Sequence, residues 1–383
     1  MTRAAAAAAC VAVLAGACTE RGPQQISDSG FGAFEASLAV GPRRLGIAWY
    51  DTRDGNAEIY LRIVDARTLK EAAELRLTRT ADASYEADVA AIGDAFAVAW
   101  YEKSAEDGTR GARLGLWSDA GVGLWARPIS SAPSRNPVLA VRGDAMFSAW
   151  IEADGQGGEA VWAAWWSRSG ERLGEPIRVG PASATTWNLN AAVDAEGRAF
   201  VVYDAQAGTR AEEILLARVV DDGGASLMRL TADDGYRSKY PDIAFGADGT
   251  AAITWFDERD GNTEVYFYAG ALGPDPAIER AARRVTQTTG DSIGAYVASN
   301  GSTYGLVWSD DTAGAYDVFF QAFDAAGVPL SSIRRVSSTA AQSLIPSIGA
   351  LGERFAVAWN EIEAASLGHG AAQRSEVLLA VVP

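Results

Sequence analysis

The 383-residue sequence predicts an all-β fold, a seven-bladed β-propeller of four-stranded blades. Three observations predict it. An aromatic residue ends a short apolar strand at Trp49, Trp100, Trp150, Tyr203, Trp255, Trp308 and Trp359, with spacings of 51, 50, 53, 52, 53 and 51 residues. After each marker an acid opens an apolar, aromatic-rich run, as in Glu58-Ile59-Tyr60, Glu213-Ile214-Leu215 and Glu264-Val265-Tyr266; the second copy departs, with Arg113 before Leu114. A polar-apolar-small strand recurs out of phase, centred on Ile26, Leu77, Ile129, Val179, Leu230, Val285 and Val336.

Each strand of the unit follows from these signals. A short strand precedes the marker strand, as in Ser37-Leu38-Ala39-Val40 and Asp242-Ile243-Ala244-Phe245. The marker strand is next, then the acid-led run, then the polar-apolar-small strand. Gly, Asp and Asn separate them, and no long stretch has the 3.6-residue period of a helix. The last copy, Arg354 to Pro383, ends before a fourth strand, while Gln24-Gln25-Ile26-Ser27 is a fourth strand without a blade. Pairing it beside Val377–Val382 completes blade seven and removes two open sheet edges. The propeller is therefore expected over residues 24–383 as a monomer.

The N-terminus reads as a targeting segment. Arg3 is followed by the apolar run Ala4 to Leu14, which is shorter than the ~20 residues of a membrane span. Leu14-Ala15-Gly16-Ala17-Cys18 resembles the lipobox of bacterial lipoproteins, with the leucine four residues before the cysteine instead of three. The resemblance implies a signal peptide over 1–17, lipidation at Cys18, a tether over 18–23 and, with Thr19 after the cysteine, sorting to the outer membrane. Ala15-Gly16-Ala17 also fits an ordinary cleavage site, which leaves a secreted soluble protein as the alternative. Removal of Cys10 leaves Cys18 as the lone cysteine, so no internal disulfide is expected.

Charge and residue counts narrow the chemistry. With 33 basic and 49 acidic residues the net charge is −16, which argues against a nucleic-acid partner. A single histidine leaves no two-histidine zinc motif and makes a Ser-His-Asp triad depend on His369 alone. There is no glycine-rich phosphate loop. Membrane contact is expected only through the lipid anchor.

Two residues after the marker an acid recurs, at Asp51, Glu102, Glu152, Asp257, Asp310 and Glu361; in blade four Asp204 follows Tyr203 directly. Blades one and five carry the fullest turn, Asp51-Thr52-Arg53-Asp54-Gly55-Asn56-Ala57-Glu58 and Asp257-Glu258-Arg259-Asp260-Gly261-Asn262-Thr263-Glu264. Asp-Gly-Asn is a hairpin signal, and the arginine can pair with the flanking acids. The competing reading is a Ca²⁺ site on Asp51, Asp54, Asn56 and Glu58, and on Asp257, Asp260, Asn262 and Glu264, since hard cations take clustered oxygens; Arg53 works against it. Otherwise no cofactor is expected.

The loops entering each blade carry Phe31, Phe34, Tyr85, Glu86, Arg135, Asn136, Trp187, Asn188, Arg237, Lys239, Tyr240, Asp291, Tyr296 and Gln342. Loops that vary on a repeated scaffold are where binding sites arise. Tyr85, Arg135, Trp187, Arg237, Tyr240 and Tyr296 are the ligand-face candidates, mixing rings and polar groups as a sugar or peptide site does. The longest hairpin, Asn360 to Arg374, holds His369, which reads as a solvated residue.

The repeat Trp-x-Asp-x-Arg-Asp-Gly-Asn-x-Glu-Ile-Tyr resembles the propeller repeats of exported bacterial proteins of the sialidase-like and TolB-like kind. The resemblance implies architecture only. The sialidase Asp-box has no match, Ser118-Asp119-Ala120-Gly121 with Trp125 being misspaced, and the TolB-type Ser-Pro-Asp-Gly turn does not occur. The expected role is a cell-envelope lipoprotein that binds a protein or glycan without catalysis through its loop-rich face. The alternative is a glycoside hydrolase or lyase acting on a polysaccharide, which requires a deep pocket with two carboxylates roughly 5–10 Å apart.

Overall fold

A computed structural model of the chain describes residues 22–183, 186–220, 223–272, 278–363 and 374–383. The expected signal segment with Cys18, and His369, lie outside the described residues. No described helix is long and apolar enough to cross a membrane.

Seven four-stranded antiparallel meanders form the ring. Blade one is β2 (Ala33–Val40), β3 (Arg44–Asp51), β4 (Glu58–Asp65) and β5 (Glu71–Arg76). Blade two is β6 (Ala83–Ile92), β7 (Ala95–Lys103), β8 (Arg110–Ser118) and β9 (Gly123–Pro128). Blade three is β10 (Ser134–Arg142), β11 (Ala145–Ala153), β12 (Glu159–Ser167) and β13 (Ile177–Pro181). Blade four is β14 (Leu189–Val193), β15 (Ala199–Ala205), β16 (Glu213–Val219) and β17 (Ala225–Arg229). Blade five is β18 (Ser238–Phe245), β19 (Ala251–Asp257), β20 (Glu264–Gly270) and β21 (Arg283–Arg284), with one helical turn, α1 (Ile278–Ala281), before β21. Blade six is β22 (Ser292–Ser299), β23 (Thr303–Asp310), β24 (Asp317–Asp324) and β25 (Arg334–Arg335). Blade seven is β26 (Gln342–Leu351), β27 (Arg354–Ile362), β28 (Ser375–Val382) and the N-terminal strand β1 (Gln24–Gln25).

The ring closes as the sequence predicts. Gln24 and Gln25 pair with Leu379 and Leu378. The joint also copies a side-chain device of the other blades. In blades one, four, five and six the residue after the acid of the third strand donates its N–H to a hydroxyl two residues past the outer strand: Ile59 to Thr78, Ile214 to Thr231, Val265 to Thr286 and Val318 to Ser337, at 2.8–2.9 Å. In blade seven Val377 donates to Ser27 at 2.8 Å, and the Ser27 hydroxyl donates to Glu376. Ser27 therefore does for blade seven, from about 350 residues away in sequence, what Thr78 does for blade one.

Every blade buries both faces, so the core is a set of slabs between neighbours. Seven apolar clusters each join two adjacent blades. The cluster of Ile26, Trp49, Ala356, Val377 and Leu379 joins blade one to blade seven. The marker aromatics are buried within these slabs. Residues i and i+2 share a face of a strand, which explains the acid after the marker. Trp49 donates its indole N–H to Asp51 at 3.0 Å, and the same bond joins Trp100 to Glu102, Trp150 to Glu152, Trp255 to Asp257 and Trp359 to Glu361. A buried indole needs such an acceptor.

Glycine in the second strand permits the close approach of blades. A Cβ on Gly46 would lie 2.7 Å from the Phe96 ring of blade two, and one on Gly305 would lie 2.9 Å from Phe355 of blade seven. Gly46→Val should therefore cost about 1–3 kcal/mol by overpacking, read as a lower denaturant midpoint. Loss of less than ~0.5 kcal/mol would mean that the slab between blades one and two yields to the added methyl groups. Ser27→Ala should cost about 1–3 kcal/mol, because it leaves the Val377 N–H and Glu376 short of a buried partner.

Candidate functional site: the axial cavity

The innermost strands create the site by departing from regular pairing. Register shifts occur between Phe34 and Ser37, Tyr85 and Asp88, Arg135 and Val138, Lys239 and Asp242, Ile293 and Tyr296, and Leu344 and Ser347. Each is a bulge with one residue at positive φ: Glu35 (55°), Glu86 (50°), Asn136 (49°), Tyr240 (53°), Gly294 (59°) and Ile345 (52°). A side chain there costs on the order of 1 kcal/mol or more, and bulges re-aim side chains next to sites. In blade four no shift occurs, and β14 begins one residue after Asn188.

The bulges surround an axial cavity of about 790 Å³. Its upper tier is Glu35, Glu86, Asn136, Asn188, Tyr240 and Ile345, at the end of the ring where the strands enter. Two residues further along each strand a lower tier holds Ser37, Asp88, Val138, Asn190, Asp242, Tyr296 and Ser347. The charged lining residues are all carboxylates: Glu35, Glu86, Asp88 and Asp242.

The lower tier stitches blades together. The hydroxyl of Ser347 accepts the Leu38 N–H at 3.0 Å, and that of Ser37 accepts the Val89 N–H at 3.2 Å. Asp88 accepts from Ser37 at 2.8 Å and from the Leu139 N–H at 2.7 Å. Asn190 donates to the Pro241 carbonyl at 3.0 Å, and Asp242 accepts the Val297 N–H at 2.8 Å. Burial nonetheless pushes Asp88 up to about 6 and Asp242 up to about 7, since these bonds only partly offset desolvation of the charge.

The upper tier is electrostatically tense. Burial raises Glu35 and Glu86 well above the ordinary range, and the Glu35 charge raises Glu86 further, while Arg135 and Arg110 work against that rise. Oε2 of Glu35 is buried without a protein hydrogen-bond partner, as are Oδ1 of Asn136 and Nη1 of Arg135. Aromatic rings flank the pair: Phe34 stacks on Tyr50, Tyr50 meets Tyr85 edge-on, and Tyr85 leans on Tyr101. Across the mouth Trp187 and Tyr240 are 39% and 38% exposed, and Tyr240 stacks on Phe256.

The sequence candidates divide. Trp187, Tyr240 and Tyr296 line the cavity. Tyr85 belongs to the adjoining aromatic cluster, and Arg135 lies 4.3 Å beneath the Trp187 ring while pairing with Glu159 at 2.6 Å. Arg237 is outside it, exposed near Glu212 and Glu258. Tyr85, Arg135, Tyr240 and Tyr296 are strand residues, not the loop residues that were expected. The sequence reasoning passed over Glu35, Asp88 and Asp242. Their signal is in the repeat: Phe34-Glu35-Ala36 and Tyr85-Glu86-Ala87 are 51 residues apart, and Ala or Pro follows the bulge residue in six copies.

The two turn motifs of blades one and five are built alike. Asp51 accepts from Arg53 Nη2 at 2.6 Å and Ser29 at 2.7 Å, and Asp257 accepts from Arg259 and from Ser238 at 2.8 Å. Burial opposes the Asp51 charge, but the bonds from Arg53, Ser29 and Trp49 outweigh it and hold the carboxyl below its usual range. Arg76 bridges Asp54 and Glu58 at 2.9 and 3.0 Å, and Arg284 bridges Asp260 and Glu264 at 2.9 Å. Asn56 and Asn262 donate to backbone carbonyls. Among the described residues no group of three or more His, Cys, Asp or Glu is arranged to hold a metal ion.

No protein-family pattern and no curated protein sequence matches the chain. Solved structures match it in fold. The β-propeller domain of the Trilobed protease from Pyrococcus furiosus aligns over 92% of this chain and 94% of its own, with TM-score 0.56 and 9% identity. Penicillium chrysogenum α-L-arabinanase, solved with arabinobiose, aligns over 74% and 89%, with TM-score 0.51 and 13% identity. The polysaccharide lyase Uly1 aligns over 93% and 91%, with TM-score 0.52 and 10% identity. At these identities the likeness is one of fold.

The buried aspartates set a pH dependence. Their folded values lie above the unfolded value of 3.8, so between about pH 4 and pH 7 the native chain holds protons that the unfolded chain has lost. Their contribution to stability therefore falls as pH rises through this window and is level above it. Asp88→Asn with Asp242→Asn keeps an acceptor for each N–H and removes the titration. The melting temperature of the double variant minus that of the parent should rise from pH 4.5 to pH 8. A difference independent of pH would mean that both acids ionise without penalty.

Proposed function

We propose that the protein is a non-catalytic glycan-binding module and that the axial cavity receives a saccharide chain end. One observation carries the reading: exposed rings and hydrogen-bond acceptors from several blades converge on a single cavity. A sugar offers hydroxyl donors to Glu35, Glu86 and Asn136 and an apolar ring face to Tyr240 and Trp187. The cavity's depth on the axis favours a chain end over a flat protein surface. Export, with anchoring at Cys18 to the cell envelope, is part of the proposal and rests on the sequence of residues 1–18.

Glu35 and Glu86 support a second reading, a glycoside hydrolase. Neighbouring carboxylates with raised affinity for one proton are what acid-assisted glycosidic cleavage uses. The lyase reading is weaker. Abstraction next to a uronate is helped by a cation on the substrate carboxylate, and the cavity lining carries four acids and neither Arg, Lys nor His.

The test is calorimetric titration of the purified protein with a panel of oligosaccharides, beside a reducing-end assay. A glycan that binds the parent should bind Trp187→Ala and Tyr240→Ala about tenfold more weakly, or ~1.4 kcal/mol. Changes under twofold in both variants would remove the cavity from the reading. Release of reducing ends that Glu86→Gln abolishes would replace the binding module by the hydrolase.

A further inference from the structure

The mouth of the cavity is chemically lopsided. Three consecutive blades present acceptors at the bulge: Glu35, Glu86 and Asn136. Asn188 follows, and the remaining three positions are the Tyr240 ring, Gly294 and the alkyl chain of Ile345, with Pro241 and Pro346 beside them. One arc is rich in hydrogen-bond acceptors, and the arc across from it is largely apolar.

Within the acceptor arc two fully buried oxygens have no protein donor, Oε2 of Glu35 and Oδ1 of Asn136. Asn136 is only 8% exposed. Its amide nitrogen donates to the Trp187 carbonyl at 2.9 Å, which fixes its oxygen on the other side. The cations that bear on Glu86 are engaged mainly elsewhere, with Nη1 of Arg135 left without a partner. Arg135 is paired with Glu159 through two bonds of 2.6 and 3.1 Å, and Arg110 lies 5.3 Å over Trp187 and 6.0 Å over Tyr101. The phenols of Tyr50, Tyr101 and Tyr240 are electrostatically coupled to the pair and that of Tyr296 to Glu35; burial raises all four, and they stay neutral. Asp88 adds negative charge from the tier below. Two carboxylates in such surroundings do not both ionise unless a cation arrives between them.

We infer that the acceptor arc receives the protonated primary amine of an aminated sugar, held by Glu35, Glu86 and Oδ1 of Asn136, with the sugar ring against Tyr240. This rests on the saccharide reading and narrows it. An ammonium group brings three N–H donors and no acceptor to three acceptors. N-acetylation removes the charge and sets a carbonyl oxygen against two carboxylates. A uronate would be repelled. Binding leaves both carboxylates ionised, so the proton that burial holds on one of them in the free protein passes to the buffer, or to ligand amine that arrives unprotonated.

The experiment is titration calorimetry of the purified protein at pH 7 with a glucosamine tetramer, an N-acetylglucosamine tetramer and tetralysine, each in two buffers of different ionisation heat. The glucosamine tetramer should bind at least tenfold more tightly than the other two and release a fraction of a proton up to one. Glu35→Gln with Glu86→Gln should weaken it at least tenfold and abolish the proton release. This variant removes charge from a buried site and should melt no lower than the parent, while Asn136→Ala should give a smaller loss of affinity and Arg237→Ala none. Equal binding of the two tetramers would overturn the inference and leave the saccharide reading standing. Tetralysine binding as tightly as the aminated sugar would overturn it in favour of a basic peptide. Failure of every saccharide would overturn both readings.

Discussion

Everything in this molecule depends on each blade having two apolar faces. A sheet of four short strands with both faces buried has no stable form alone and must be covered on each side. The only arrangement that covers all of them without an exposed face is a closed ring. That condition gives the joint between β1 and β28 its weight. It also explains why Ile26 and Ser27 copy Leu77 and Thr78: the last slab must be built from the same parts as the others. The indole-to-acid bonds repeat for the same reason, since a tryptophan fills a slab only if its N–H is satisfied inside it.

Closure fixes where the seven innermost strands lie, and the bulges then determine what the axis presents. A regular strand would alternate its side chains between the two neighbouring slabs. The positive-φ residue breaks that alternation and, in blades one, two, three, five and seven, turns a side chain into the axial space. The strain at Glu35, Glu86, Asn136, Tyr240 and Ile345 is sustained by the slabs on either side. Acids placed there lose water without gaining a cation, and that is the physical origin of the raised proton affinity at the mouth.

How much of this was legible in the sequence follows from what repeats. Blade number, strand order and closure were legible because Trp49 to Trp359 and Ile26 to Val336 recur with one period. The structural part of the Asp51 and Asp257 turns was legible too, since Arg53 and Arg259 sit where they can pair with the acids. The site was only partly legible. Trp187, Tyr240 and Tyr296 were recognised as face residues, but Tyr240 and Tyr296 as loop residues, because a bulge carries no residue-type signature as plain as Asp-Gly-Asn. Glu35 escaped notice because a carboxylate beside a phenylalanine in a strand reads as an outward-facing residue. Only its backbone angle points it inward. Arg237, one residue before β18, does not line the cavity; it is exposed beside Glu212 and Glu258.

The polar belt of the lower tier is not continuous. It runs through Ser347, Ser37 and Asp88, and separately through Asn190 and Asp242. Val138 has no polar atom to extend it, and Tyr296 puts a ring in that place. In its lower tier the propeller is thus hooped in two segments, blades seven to three and blades four to six, and the first gap is bridged above by the bond from Asn136 to the Trp187 carbonyl. Glu35, Glu86 and Asn136 all ride on the first segment, and Tyr240 rides on the second. Slippage at the gaps would alter the width of the opening between acids and ring while leaving the spacing of the acids untouched, much as an iris changes aperture without disturbing its blades.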